Sequence, residues 1–381
     1  MLNLKGIIAL TGIAVLLAGC SGNGDEIEPS PLVKFDAVKK VNVLWSKDIG
    51  SSFGDKYHQL TPGITGSSII VSDTKGNVSS YDLKTGKQRW DRSLDVSISG
   101  GVGAGGGTDT AVVTTYTGDV IALSADSGEI NWQVAVGGEV VSQAQLNKNL
   151  VVVQLVTGDV IALDRASGEQ RWVYTSNQPN LTLRGTSSPL VALDATLVGL
   201  DNGKFVAIDN ANGAVIWQHR INIARGKSDI ERLTDVDGKP ILYKNVIYIP
   251  GYRGNLAAIN PFNAQVLWRK PFSSYRGLAA SNNTIYLSAD NDVVHGVDSQ
   301  SAAEIWRQDL LLNRAITSPV TLADQVVVGD NQGYLHFLSQ DDGQFDARYK
   351  LGGALVGDML VQDNILYVLS NNGRLTALTV K

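Results

Sequence analysis

Cysteine occurs once in 381 residues, at Cys20. A single thiol excludes any intramolecular disulfide and any metal site built on cysteines. Histidine is nearly as scarce: His58, His219, His295 and His336 are the only four, and no metal-ligand spacing relates them along the chain. Charged residues make up 18% of the sequence, below the ~25% of an ordinary globular protein. The net charge of −5 excludes the basic stripe of a nucleic-acid-binding face. Beyond the first twenty residues no apolar set recurs with a 3.6-residue period, so almost no helix is expected. A GxSxG nucleophile motif is lacking too, and the carboxylates mostly open turns instead of standing in pairs.

What is present begins with a targeting segment. Lys5 is the only charge in residues 1–19, ahead of the apolar run GIIALTGIAVLLA. That run is short of the ~20 residues that span a bilayer and fits a signal peptide. Leu17-Ala18-Gly19-Cys20 resembles a bacterial lipobox, so Cys20 is the expected acylation site and 1–19 the removed signal. Several acyl chains together would hold the protein firmly to a membrane. Ser21 follows the cysteine where an Asp would signal inner-membrane retention, so the outer membrane is the expected destination. Residues 20–40, polar and with two prolines, read as a tether, leaving 41–381 for the folded domain.

The folded part repeats itself. Residues 117–132, TGDVIALSADSGEINW, and 157–172, TGDVIALDRASGEQRW, share eleven identities at an offset of forty. All seven tryptophans (Trp45, Trp90, Trp132, Trp172, Trp217, Trp268 and Trp306) fall in register with this phrase, and Ala347 takes the eighth place. Spacings of 38 to 51 residues between successive tryptophans suit a propeller or a similar array. GDVIAL reads as a strand buried on both faces. A small residue three places on (Ser80, Ala122, Ala162, Ala207, Ala258, Gly296) lets a neighbouring sheet approach. Asp82, Ser124, Asp164, Asp209, Asn260 and Asp298 then open a turn through a short polar side chain. The glycine four places before the tryptophan supplies that turn's positive φ. The tryptophan itself, on the next strand, packs between sheets. None of these side chains needs to be reactive.

The ends of the chain fix the closure. NNGRLTALTV (371–380) carries the first half of the phrase without its Trp strand, and VNVLWSKDI carries a Trp strand without a first half. Joined, they complete an all-β, eight-bladed propeller of four-stranded antiparallel blades, with no long exposed sheet edge. Two inter-blade segments are long, 173–190 and 221–240, and project from one rim of neighbouring blades. Loops of this kind on a rigid scaffold are where binding is usually placed. Leu181 and Leu183 beside Arg184 suit an interface anchor; alternatively, the leucines fill the inter-blade core and Arg184 pairs with an acid.

The phrase GxVxALDxxxGxxxW resembles the quinoprotein-like repeat of quinone-dependent dehydrogenases and their non-enzymatic relatives. The dehydrogenases use an adjacent cysteine pair and calcium in a longer chain; here the one cysteine is the expected lipidation site. Lipobox, tether, eight repeats and total length together resemble the BamB family of outer-membrane β-barrel assembly lipoproteins, over essentially the whole chain. NLTLRGTSSPL (180–190) is similar to that family's leucine–arginine loop, and RLTDVDGKP (232–240) to its Asp-x-Asp loop. The resemblance implies that Leu181, Leu183, Arg184, Asp235 and Asp237 lie at or support a contact with the periplasmic domains of the barrel-forming subunit BamA. It implies a non-enzymatic scaffold without cofactor or metal, lipid-anchored at the periplasmic face of the outer membrane. Within the assembly complex, unfolded barrel strands are the expected transient clients. Ala347 departs from the pattern and bears on the packing of one blade.

Other motifs carry less. SISGGVGAGGGTD holds a literal GxGxxG at Gly101, Gly103 and Gly106, but a strand pattern follows where a dinucleotide site needs a helix. A glycine-rich inner strand is expected there. His295 and His336 stand eleven residues before Trp306 and Ala347, so satisfied, mostly buried histidines are expected in adjacent blades. The competing readings are a degenerate quinoprotein dehydrogenase and a ligand-binding propeller. An aromatic-lined axial pocket is disfavoured, because every tryptophan belongs to the repeat.

Overall fold

The computed structural model describes residues 28–50, 60–176, 187–222, 235–236 and 238–381. Among these the regular structure is entirely β. Eight antiparallel sheets follow one another around a ring, several neighbours meeting through their inner strands. Blades 1 to 7 span 63–93, 98–135, 145–174, 190–220, 241–270, 278–308 and 320–350. Blade 8 takes its first three strands from 360–380 and its fourth from Val41–Asp48. That closing strand runs antiparallel to Arg374–Val380, pairing Val41 with Val380 and Asp48 with Arg374.

Seven blades have four strands; blade 2 has three, with its inner place taken by isolated bridges at Ile98–Thr115 and Gly103–Val112. The glycine-rich segment explains the difference. A Cβ at Gly101 would strike the Thr61 backbone of blade 1's approach, and one at Gly103 the Ala144 carbonyl beside blade 3. The inner wall closes around backbone too tightly for side chains, and a regular ladder gives way to single bridges.

The core lies between blades. Val112, Val120, Ala122 and Trp132 of blade 2 pack on Val151, Val153, Ile161 and Leu163 of blade 3, and the same arrangement recurs around the ring. Middle strands such as Leu150–Gln154 are buried along their whole length, as expected of sheets covered on both faces. The turn-openers act as expected: Asp164 Oδ1 accepts from the Ala166 and Ser167 amides at 3.0 Å each. Gly168 then turns at φ +75° and donates to the Asp164 carbonyl at 2.8 Å.

Each tryptophan is locked from both sides. Within its own blade it pairs with the small residue of the third strand, Trp132 with Ala122 and Trp306 with Gly296. Toward the next blade the ring of five of the seven covers the turn glycine, as Trp132 over Gly168 and Trp45 over Gly86, while Ala264 and Ala302 hold the same positive-φ place in the turns of blades 5 and 6. Its indole N–H donates to the carbonyl just after the next turn-opener, as Trp132 to Arg165 at 2.8 Å and Trp306 to Gln340 at 2.8 Å. Six of the seven make that bond. The seventh, Trp217, tilts against Phe205 and His219, and His219 Nε2 meets the Ala264 carbonyl at 2.5 Å.

Ala347 fits this scheme. The blade after it is the closing one, where the chain ends between third and fourth strands, so no turn exists to accept an indole N–H. The volume moves across the pair instead: Phe337 of the third strand stands opposite Ala347, with both buried.

Candidate partner-docking rim

The rim carrying the 2–3 turns and the inter-blade connections holds the ends of both long loops. Leu181, Leu183, Arg184 and Asp237 lie outside the described residues, as does Cys20; Asp235 is described. The first loop leaves blade 3 at Ser176, whose Oγ accepts from Asn202 Nδ2 at 3.4 Å. It returns at Ser187, fully buried, whose Oγ donates to the Gly238 carbonyl at 3.5 Å. The second loop leaves blade 4 at Asn222, whose amide donates to the Gly203 carbonyl at 3.1 Å. The departing ends of both loops therefore contact one short turn of blade 4, residues 201–203, and their returning ends touch each other.

Asn222 is the staple of this arrangement. Its Nδ2 donates to the Asp235 and Tyr252 carbonyls at 3.1 and 3.3 Å, and its Oδ1 accepts from the Asn255 amide at 2.9 Å. The Tyr252 amide in turn donates to the Asp235 carbonyl at 2.8 Å. Asp235 and Val236 are themselves completely buried, with the Val236 backbone pressed against Gly199. Asp235 is thus tied by its carbonyl into the hydrogen-bond network centred on Asn222. Sequence reasoning passed over Asn222; the signal was the pair Gly251 and Gly254, where any Cβ would collide with its amide.

Beside the loops the rim is aromatic and cationic. Tyr252 and Tyr275 meet edge to face at 5.9 Å, Arg253 lies 5.4 Å from the Tyr252 ring, and Arg276 lies 4.4 Å from Tyr275. Arg276 is fixed from below by Asp292 at 3.0 Å. Burial raises the Tyr275 hydroxyl above its ordinary value, against the pull of Arg276, so it stays a neutral donor.

The two register-matched histidines are satisfied. His295 Nδ1 pairs with Glu304 Oε2 at 2.7 Å. Completely buried His336 places Nε2 2.9 Å from Asp330 Oδ2, and Arg348 Nε points at its Nδ1 at 3.2 Å. Arginine can only donate, so Nδ1 holds a lone pair and His336 is the neutral Nε2–H tautomer. No group of three or more His, Cys, Asp or Glu able to hold a metal occurs among the described residues.

A ring of eight sheets with this Trp–Gly lock defines the eight-bladed propeller class that includes the quinoproteins. The quinohemoprotein alcohol dehydrogenase of Comamonas testosteroni superimposes with a TM-score of 0.70 at 14% identity, over 89% of this chain and 76% of its own. At that identity the likeness is one of fold.

Sequence likeness singles out one family within the class. The profile of the family described as outer membrane protein assembly factor BamB matches residues 74–308 and 290–381. The Pseudomonas aeruginosa assembly factor BamB is 39% identical and that of Yersinia pestis 34%, each with 98% of both chains covered. The crystal structure of BamB from Moraxella catarrhalis superimposes with a TM-score of 0.83 at 27% identity, covering 89% of this chain and all of that one. The chain belongs to the BamB family.

Proposed function

We propose that this chain is a non-catalytic outer-membrane protein assembly factor that docks on the periplasmic domains of BamA through its variable rim. The observation that carries the reading is the common footing of the two long loops. The described ends of the two loops meet beside the 201–203 turn of blade 4 and at Ser187–Gly238, which supports assigning the leucine–arginine and Asp-x-Asp patterns to one surface. Leu181, Leu183 and Arg184 are assigned to the contact, Asp235 and the adjoining Asp237 to its support. Beside them, a Tyr–Arg neighbourhood is the composition in which binding energy concentrates. Cleavage after residue 19 and acylation of Cys20 would hold the ring at the periplasmic face of the membrane.

A dehydrogenase reading has less support, since a lone cysteine allows no vicinal pair; it predicts quinone and calcium in the purified protein. Transient binding of unfolded barrel strands has a specific observation in its favour. The residue before each tryptophan is a bulge on the free outer strand, and on blades 4, 5, 6 and 8 it is exposed and apolar: Ile216, Leu267, Ile305 and Leu44. The bulge interrupts the edge, so side-chain contact would carry such an encounter.

The test is capture of BamA from detergent-solubilised membranes by the intact protein and by a Leu181/Leu183/Arg184→Ala variant shown by circular dichroism to be folded. The proposal expects capture by the first and loss with the second. Equal capture by both removes the loop from the interface; capture by neither removes the partner.

A further inference from the structure

The segment read as a tether is bound to the ring over its second half. The Ser30 amide donates to the Leu312 carbonyl at 3.0 Å, and Val38 and Lys39 both donate to the Asp346 carbonyl at 3.0 and 3.1 Å. Two arginines grip its backbone: Arg314 Nη1 holds the Ser30 carbonyl at 2.7 Å and Arg348 Nη1 the Val33 carbonyl at 2.8 Å. Phe35 stacks on Phe345 at 5.3 Å, with the Arg348 guanidinium 5.0 Å from both rings.

The arginines are held in turn. Arg314 Nε reaches Asp330 Oδ2 at 2.7 Å, and the same carboxylate orients His336, which orients Arg348. Arg314 and Asp330 are almost wholly buried. A buried ionic chain is a poor source of stability, since desolvation offsets its Coulomb gain. Fixing geometry is what such a chain does well, and what it fixes here is the entry point of the N-terminal segment.

That entry point lies on a particular rim. Leu312 and Arg314 belong to the connection from blade 6 to blade 7, and Asp330 to the 2–3 turn of blade 7. These are the same kinds of segment that carry the two long loops. About ten residues separate Cys20 from Ser30, a reach of at most ~35 Å when fully extended.

We propose that this arginine clasp on blade 7 hangs the ring from its membrane anchor with the partner-docking rim turned toward the membrane. The inference rests on the acylation of Cys20 proposed above. Since Cys20 would be blocked by lipid, an added cysteine can be labelled alone. Asn291→Cys and Gln300→Cys mark opposite ends of blade 6, on the 2–3 and 3–4 turns. The lipidated protein is bound to phosphatidylethanolamine–phosphatidylglycerol vesicles containing a headgroup-labelled acceptor. Energy transfer should be several-fold stronger from position 291 than from 300. In a Phe35→Ala/Arg348→Gln background, which leaves Arg314 on Asp330, the difference should collapse, with faster amide exchange at Val38 and Lys39. Equal transfer from both positions, or a difference that survives the loosened clasp, overturns the proposal. A protein that never partitions into the vesicles refutes the anchor itself, and the orientation with it.

Discussion

The two rims of this ring obey different rules. On one, the 3–4 turns repeat a short polar opener, a glycine or alanine at positive φ, and a tryptophan from the preceding blade closing over the turn. On the other, the inter-blade connections share no phrase: one is long and stapled through Asn222, its long neighbour abuts it where Ser187 meets Gly238, and one grips the N-terminal segment through Arg314. The first rim is where adjacent sheets must pack at a set distance, and packing tolerates few solutions. The second has no such duty, and variation collects there as candidate function.

The sharpest way to break this comparison is to remove one lock. Trp132→Ala vacates a nearly buried site between blades 2 and 3 and deletes the bond to Arg165. A loss of about 3–5 kcal/mol is expected, read as a lower urea midpoint. A near-neutral result would mean that the repeated tryptophan does not hold the blades. A smaller effect belongs to the turn beneath it. Gly168→Ala places a Cβ 2.7 Å from the Trp132 ring at φ +75°, with an expected cost of about 1–2 kcal/mol from the left-handed backbone and more from displaced indole. Ala264 already holds φ +59° at the matching turn. Ala264→Gly should therefore move the midpoint little, and an equal loss at both turns would dissolve the distinction.

Much of this was legible before any coordinates. The tryptophan register fixed the number of blades, and the two half-phrases at the chain ends predicted the closing strand found in blade 8. What stayed hidden has physical reasons. The Phe337–Ala347 exchange is a volume swap across two strands, and no single position announces it. The bulge before each tryptophan is a property of register, not of residue type. Residues 28–40 read as free chain because much of their binding runs through backbone groups that any sequence possesses, and a lone Phe35 stacking on Phe345 gives no periodic signal. The burial of Asp235 was not legible either, since an Asp-x-Asp pattern reads equally as contact or as support.

The buried His336 offers a prediction in pH. Burial holds its pKa below the ordinary 6.5, aided by Arg348 and Arg314 and opposed by Asp330. As pH falls through 6.5 the unfolded chain takes up a proton that the folded protein refuses, so stability is full above that value and declines below it. One proton sets a slope of at most about 1.4 kcal/mol per pH unit. Comparing urea midpoints of the natural protein and His336→Gln between pH 7.5 and 5 measures it; parallel curves would remove His336 as the source.

The smallest expected effect is the most informative about the variable rim. Leu181 and Leu183 have two competing assignments, partner contact or inter-blade core. Core leucines cost about 2–5 kcal/mol when cut to alanine, whereas surface positions stay within about 0.5 kcal/mol. If these leucines serve the partner, Leu181→Ala/Leu183→Ala leaves the urea midpoint nearly unmoved while BamA capture falls. If the midpoint drops with capture, the loop is packing, and the difference between the rims lies elsewhere, at the Tyr252–Tyr275 pair or at the blade 7 clasp.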